Sequence, residues 1–175
     1  APSAPDPRLV LERAAKASAA RAGFSEAVTF TFIERAAAEP FASAPDDLVA
    51  IANPLSEKFA VLRPSLLPGL IDSLAHNRRR EQRDVRLYEA GTRFSHALGE
   101  SRGIAIALIG AGNGEHWSGS GREADFFDIK GALEMVGAGL GLRLDVEAAV
   151  IPYFVPGRAG TVHAVAPDGR RTACG

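Results

Sequence analysis

The chain has 175 residues, 46% of them hydrophobic and 23% charged, with a formal net charge of −1. That length can bury a core, and that balance excludes a disordered chain and gives no bulk attraction to nucleic acid or an acidic membrane. Cys174 is the single cysteine, which excludes an internal disulfide and a cysteine-based zinc site.

Ala1 to Asp6 reads as a Pro and Ala linker. Asp6 and Pro7 have the chemistry of an N-cap and first helical residue for a helix to about Ala22, closed by Gly23. Ala27 to Ile33 alternates Val28, Phe30 and Phe32 with Thr29, Thr31 and Ile33, a half-buried strand pattern. Glu34 to Glu39 is expected as a short helix stopped by Pro40, and Phe41 to Asp47 as a loop. Leu48 to Ala52 is an apolar run closed by Asn53-Pro54-Leu55-Ser56, and Phe59 to Leu62 resumes extended structure. Ser65 is placed to cap a helix with Pro68 in its first turn and a stripe of Leu66, Leu67, Leu70, Ile71 and Leu74. Arg78, Arg79 and Arg80 at its end suit the negative pole of the helix dipole.

Val85 to Phe94 is the clearest strand, apolar on both faces and so suited to a covered, central position. Ser95 to Arg102 reads as a turn, Ile104 to Ile109 as a buried strand, and Gly110 to Gly121 as a loop with five glycines. Asp125 has the chemistry to cap a second major helix with the stripe Ile129, Leu133, Val136 and Leu140, loosened at its end by Gly137, Gly139 and Gly141. Arg143 to Val150 is a weaker strand, Pro152 to Gly160 a loop, and Thr161 to Ala166 a strand. Pro167-Asp168-Gly169 is a hairpin turn into a last strand that the end at Gly175 cuts off. The order of short strands around two core helices is α+β, a mainly antiparallel sheet packed by helices. The domain reading is 1–24 as linker and leading helix, and 25–175 as one core module. The start without Met and the end at Gly175 read as those of a piece of a longer polypeptide.

The residues that could carry chemistry have structural alternatives. Gly110-Ala111-Gly112-Asn113-Gly114 follows a strand, as phosphate loops do, but lacks the Gly-Lys-Ser/Thr ending and has Glu115 where a dinucleotide fingerprint needs glycine. His116-Trp117 reads as an aromatic anchor for that loop. His76, His96, His116 and His163 match no metal-ligand spacing, and Asp125 with Asp128 suits capping better than metal binding. Ser65 and Ser120 lack a Gly-x-Ser-x-Gly setting, which argues against a hydrolase. Arg78, Arg79, Arg80, Arg83 and Arg86, offset by Glu81 and Asp84, could meet phosphates, although a solvated helix end explains them as well and no aromatics are interleaved for stacking.

Several separated blocks are more specific. Asn53-Pro54-Leu55-Ser56-Glu57, Leu62-Arg63-Pro64-Ser65-Leu66-Leu67-Pro68-Gly69-Leu70 and Arg86-Leu87-Tyr88-Glu89-Ala90-Gly91 come first. Asp125-Phe126-Phe127-Asp128-Ile129-Lys130-Gly131 and Pro156-Gly157-Arg158 then follow in order. Together they resemble the beta subunit of bacterial phenylalanyl-tRNA synthetase, over roughly residues 20–175. The resemblance implies a class II aminoacyl-tRNA synthetase-like core, truncated at its C-terminus. In catalytic members of that class the strand equivalent to Val85–Phe94 presents an arginine to the ATP α-phosphate. Here Glu89 falls at or beside that position, where an acid facing the groove would repel a triphosphate. The structural alternative makes Glu89 the partner of a buried arginine such as Arg63 or Arg158. The last class II motif, Gly-Leu-Gly-x-x-Arg, has no match; Gly139-Leu140-Gly141-Leu142-Arg143 is one residue short and ends a helix.

The resemblance therefore implies a catalytically silent module, inactive alone, that supports the alpha subunit in a heterotetramer of two alpha and two beta subunits. The whole enzyme charges tRNA(Phe) with phenylalanine using ATP and Mg2+, while this piece holds no cofactor. Arg63, Ser65, Leu70, Arg78, Glu89 and Arg158 are the residues expected to be partner-facing or structural, with the Ser65–Arg80 helix as part of the partner face. Two alternatives stand beside this reading. One is a self-contained ATP-binding core with a triphosphate site near Arg63, Arg86 and Arg93. The other is a tRNA-binding module using Arg78–Arg86, with affinity that falls steeply in salt. No apolar run approaches the roughly 20 residues of a membrane span, and Ala1 to Asp6 lacks the regions of a signal peptide. A cytoplasmic, membrane-free setting is the simplest fit.

Overall fold

The computed structural model describes residues 6–112, 122–166 and 168–175. Its elements in chain order are α1 (Pro7–Arg21), β1 (Ser25–Glu26), β2 (Phe32–Ile33), α2 (Arg35–Ala38), β3 (Val61–Leu62), α3 (Leu67–Arg79) and β4 (Val85–Ser95). They continue with β5 (Gly99–Ile109), α4 (Phe126–Gly139), β6 (Arg143–Ala148), β7 (Gly160–Val165) and β8 (Arg171–Ala173). The result is α+β with antiparallel pairing, distributed over separate small sheets. The chain divides into two compact units, residues 26–110 and residues 1–25 with 111–175.

In the 26–110 unit, β4 and β5 form a long hairpin whose register runs without a slip from Val85 opposite Ile109 to Ser95 opposite Gly99. The other edge of β4 is met by the Ala27 amide, which donates to the Tyr88 carbonyl at 2.7 Å. β4 thus has neighbours on both edges, as its apolar sequence requires. The turn at 96–98 is shorter than the expected Ser95–Arg102, because β5 starts at Gly99 (φ 66°). Helix α3 lies against this hairpin. Leu66, Leu70 and Leu74 are its buried contacts, while Ile71 is exposed, so the stripe is narrower than its spacing suggests. The helix starts one residue later than the Ser65 cap implies: Leu66 is the N-cap, and Ser65 Oγ accepts from the Leu67 amide at 3.2 Å. Pro68 sits in the first turn, where a missing N–H costs nothing. A second small core joins Ala38, Leu48 and Val61, with Ile33 packed against it. Pro40 does not end the chain's helical course after α2, since Glu39–Phe41 continues as a 3-10 turn.

In the other unit, Asp6 caps α1 by accepting from Arg8 N at 2.9 Å. Helix α4 is closed by a reciprocal capping box, with Asp125 accepting from Phe127 N and Asp128 from Asp125 N, both at 2.8 Å. The buried face of α4 is Ala132, Val136 and Gly137, not the expected Ile129, Leu133 and Leu140, which are only half-buried. Small residues win because α1 and β6 come close. A Cβ on Gly139 would overlap Ser18 of α1, and one on Gly137 would lie 2.7 Å from Leu144 Cγ of β6. Gly137 is therefore a packing contact, not a loosening of the helix end. β6, β7 and β8 form an antiparallel sheet, and β6 stops at Ala148. Gly169 (φ 84°) makes the turn before β8. The expected phosphate loop from Asn113, the His116-Trp117 anchor and Ser120 lie outside the described residues.

Candidate functional site

The segment before β2 departs most from its sequence reading. Only Phe32 and Ile33 are strand; residues 27–30 have no regular structure and Thr31 is a bend. Burial still alternates, but Ala27, Thr29, Thr31 and Ile33 turn inward while Val28, Phe30 and Phe32 turn outward. Val28 is 89% exposed and Phe30 72%, and Phe30 touches Phe59 edge-on with ring centres 5.7 Å apart. Leu55, in the Asn53–Ser56 turn, is 97% exposed.

The inward position of Thr29 is explained by what it meets. Arg63 and Glu89 are only 4% and 3% exposed, and their ion pair, Nη1 to Oε1, is 2.7 Å long. Thr29 closes the pair. Its amide donates to Glu89 Oε1 at 3.2 Å, its hydroxyl donates to Glu89 Oε2 at 2.8 Å, and the same hydroxyl accepts from Arg63 Nη1 at 3.0 Å. Arg63 Nε donates to the Thr92 carbonyl at 2.8 Å. The backbone of Arg63 completes the stitching, its amide donating to Thr31 O and its carbonyl accepting from Phe94 N, both at 2.9 Å. A buried charge pair offsets its desolvation only when its other donors and acceptors find partners, as Arg63 Nε and Nη1 and both Glu89 oxygens do here. Among the described residues no buried side-chain nitrogen or oxygen lacks a partner.

Two glycines make room for this cluster. A Cβ on Gly69 of α3 would overlap the Thr29 hydroxyl, and one on Gly91 of β4 would overlap Arg63 Nη2 and sit 3.0 Å from Leu66 Cδ2. Sequence blocks far apart in the chain thus meet as one object: Thr29, Arg63, Gly69, Glu89 and Gly91.

The expectation of an acid facing a nucleotide groove is corrected by this geometry. Glu89 points inward and is consumed by Arg63 and Thr29, so its sign says nothing about a triphosphate. The structural alternative holds for Arg63; Arg158 belongs to the other unit. The triphosphate site expected near Arg63, Arg86 and Arg93 does not assemble. With no slip in the hairpin, residues 86 and 93 project from opposite faces of β4, and Arg63 is buried. Arg93 Nε donates to Ser101 Oγ at 3.1 Å.

The other residues singled out by sequence do not gather around this cluster. Leu70 is fully buried, which fits a structural and not a partner-facing role. Ser65 serves the α3 start, and Arg78 is exposed in its last turn with Arg79 and Arg80 beyond it. Arg158 lines an open cleft of about 710 Å³ in the other unit, together with Asp125, Phe126, Lys130, Val146 and Gly157. Beside that cleft, Arg122 reaches both oxygens of Asp128 at 2.7 Å, and this hydrogen bonding raises the already high guanidinium pKa. Asp128 is thereby committed to the helix cap and to Arg122. Among the described residues no cluster of three or more His, Cys, Asp or Glu could hold a metal. Thr29, Gly69, Gly91 and the outward apolar row escaped the sequence reading, because a period of two does not say which set faces in.

A polypeptide with this arrangement has the fold of a class II aminoacyl-tRNA synthetase core. It is similar to a pyrrolysyl tRNA synthetase from Desulfitobacterium hafniense with a TM-score of 0.64 at 20% identity, covering 93% of this chain and 55% of that one. More narrowly, residues 1–171 match the family described as phenylalanyl tRNA synthetase beta chain CLM domain, and the chain belongs to that family. It is 35% identical over 144 residues to the phenylalanine–tRNA ligase beta subunit of Xanthomonas axonopodis pv. citri, covering 79% of this chain and 18% of that protein. It is 38% identical over 153 residues to that of Rhodospirillum rubrum, covering 84% of this chain and 19% of that protein. The chain thus spans roughly a fifth of the length of these curated relatives. Among the described residues no helix is long and apolar enough to cross a membrane.

Proposed function

We propose that this chain is a catalytically silent synthetase-like scaffold that docks an alpha subunit, as part of a cytoplasmic heterotetramer of two alpha and two beta subunits. In this reading the assembled enzyme charges tRNA(Phe) with phenylalanine using ATP and Mg2+, and the nucleotide is held by the alpha subunit. The observation that carries it is the outward row Val28, Phe30 and Phe32. Leaving such side chains in water forgoes roughly 1.5–3 kcal/mol apiece relative to burial. Several on one side of a single segment are a recurring mark of a protein contact. Helix α3 offers less, since of its apolar stripe only Ile71 is exposed. The scattering of Arg63, Arg86 and Arg93 supports the silence of this module toward ATP.

The test is to co-produce the full-length protein containing this chain with its alpha subunit, with Val28→Asp and Phe30→Asp introduced together. Both side chains are exposed, so the unfolding transition of the chain is expected to move little. Recovery of alpha subunit on the tagged beta protein is expected to fall by about tenfold or more, the equivalent of 1.4 kcal/mol. Undiminished recovery would sink the scaffold reading.

A further inference from the structure

We propose that Thr29 is the residue that sets which side of segment 27–33 faces water. The Arg63–Glu89 pair selects it for the inward position, and that selection keeps Val28, Phe30 and Phe32 outward for an apolar protein partner. The consequence for docking rests on the scaffold reading above; the selection itself does not.

The segment has two ways to lie on the unit. Hydrophobic burial alone favours Val28, Phe30 and Phe32 inward over Ala27, Thr29, Thr31 and Ile33, because the first set carries more apolar surface. In extended chain a shift of one residue exchanges the two sets completely. The observed choice is the one that hydrophobicity disfavours, so something specific opposes it. Glu89 presents two acceptor oxygens and Arg63 a donor, at a point reached from 27–33 by a single side chain. A hydroxyl can donate and accept at once, and Thr29 does both while its own amide supplies the third bond. Val28 or Phe30 in that place would leave the Arg63–Glu89 pair joined but without the hydroxyl that donates to Glu89 Oε2 and accepts from Arg63 Nη1, a costly loss in a buried site. Size acts in the same direction. The room for Thr29 is gained by the missing Cβ of Gly69, and the hydroxyl already occupies it. A phenyl ring has no place there.

The selection is read by thiol accessibility. Cys174 is the only cysteine, so a Cys174→Ser background carrying Val28→Cys reports position 28 alone. Maleimide labelling of this 175-residue chain is expected to be fast with Thr29. With Thr29→Val, which keeps the shape and removes the hydroxyl, the segment turns over and labelling slows by about tenfold, the rate lost if position 28 is outward only a tenth of the time. Thr29→Ser restores the fast rate. Loss of stability without turnover would speed labelling, so the sign separates a setting role from a merely structural one. A rate unchanged or raised in Thr29→Val, or one that Thr29→Ser does not restore, overturns the proposal. In the full-length protein Thr29→Val is expected to weaken alpha-subunit association and Thr29→Ser to recover it. Slowed labelling with undiminished association would support the selection by Thr29 and count against the scaffold reading, so the two fail separately.

Discussion

The two units hold themselves together by different means. In 26–110, segments as far apart as 29, 63 and 89 are joined by one buried charge pair and the hydroxyl that completes it. In the other unit, closure comes from size and local chemistry. Ser18 lies against Gly139, Leu144 against Gly137, and Asp125 exchanges caps with Asp128 over a single turn. The first arrangement demands particular long-range functional groups, with two glycines to make room for them; the second rests on the absence of bulk between elements and on chemistry within one turn.

The sharpest way to break this contrast is at Glu89. Glu89→Gln leaves Arg63 buried beside a neutral amide and is expected to lower stability by about 3–5 kcal/mol in urea unfolding, the usual cost of stranding one member of a buried pair. Replacing both members with apolar residues, Arg63→Met with Glu89→Leu, should recover much of that loss. If the double variant is as unstable as the single one, the chemistry of the pair is not what is being lost.

A smaller effect is expected on the other side. Gly139→Val forces a side chain into Ser18 and is expected to cost about 1–3 kcal/mol by the same measurement, the range for overpacking. Ser18→Gly in the same chain should return part of it. No such exchange of bulk could repair Glu89→Gln, and that asymmetry is what the comparison asserts.

The smallest effect belongs to Asp168 in the last hairpin. The Arg170 amide at 3.0 Å and then its guanidinium at 2.6 Å hold this carboxyl below the ordinary aspartate range. A group with a lowered folded pKa contributes stability above its unfolded pKa and loses that contribution as pH falls through the folded one. Carbon-detected NMR titration should therefore find the Asp168 midpoint below that of an unstructured aspartate. Full exposure makes the effect on overall unfolding slight.

Much of the architecture could be read from local signals. Asp6-Pro7 and Asp125 announced their helices, Val85–Phe94 its strand, and Asp168-Gly169 its turn, because each rests on chemistry within a few residues. Ser65 stands one position before the assigned cap Leu66, whose backbone is already helical (φ −81°, ψ −17°), and its hydroxyl accepts from the Leu67 amide as a capping side chain does. Where the pattern failed, long-range contacts decided. Residues 27–33 show a clean alternation whose inward set meets Arg63 and Glu89, 34 and 60 positions from Thr29. The buried face of α4 is set by how closely Ser18 and Leu144 approach, which no periodicity within the helix reveals. Glu89 drew attention for its charge, and pairing with an arginine was foreseen as an alternative; that a threonine would complete the pair had no signal at all.

The vacant Cβ positions of Gly69 and Gly91 carry a consequence for how this chain can change over generations. Thr29, Arg63 and Glu89 fill the space those glycines leave, so apart from serine for Thr29, an exchange at one of the five alone brings collision or a polar group short of partners. A lineage that abandons the set must do so in a concerted jump, and tolerance to random substitution should be low at these five positions.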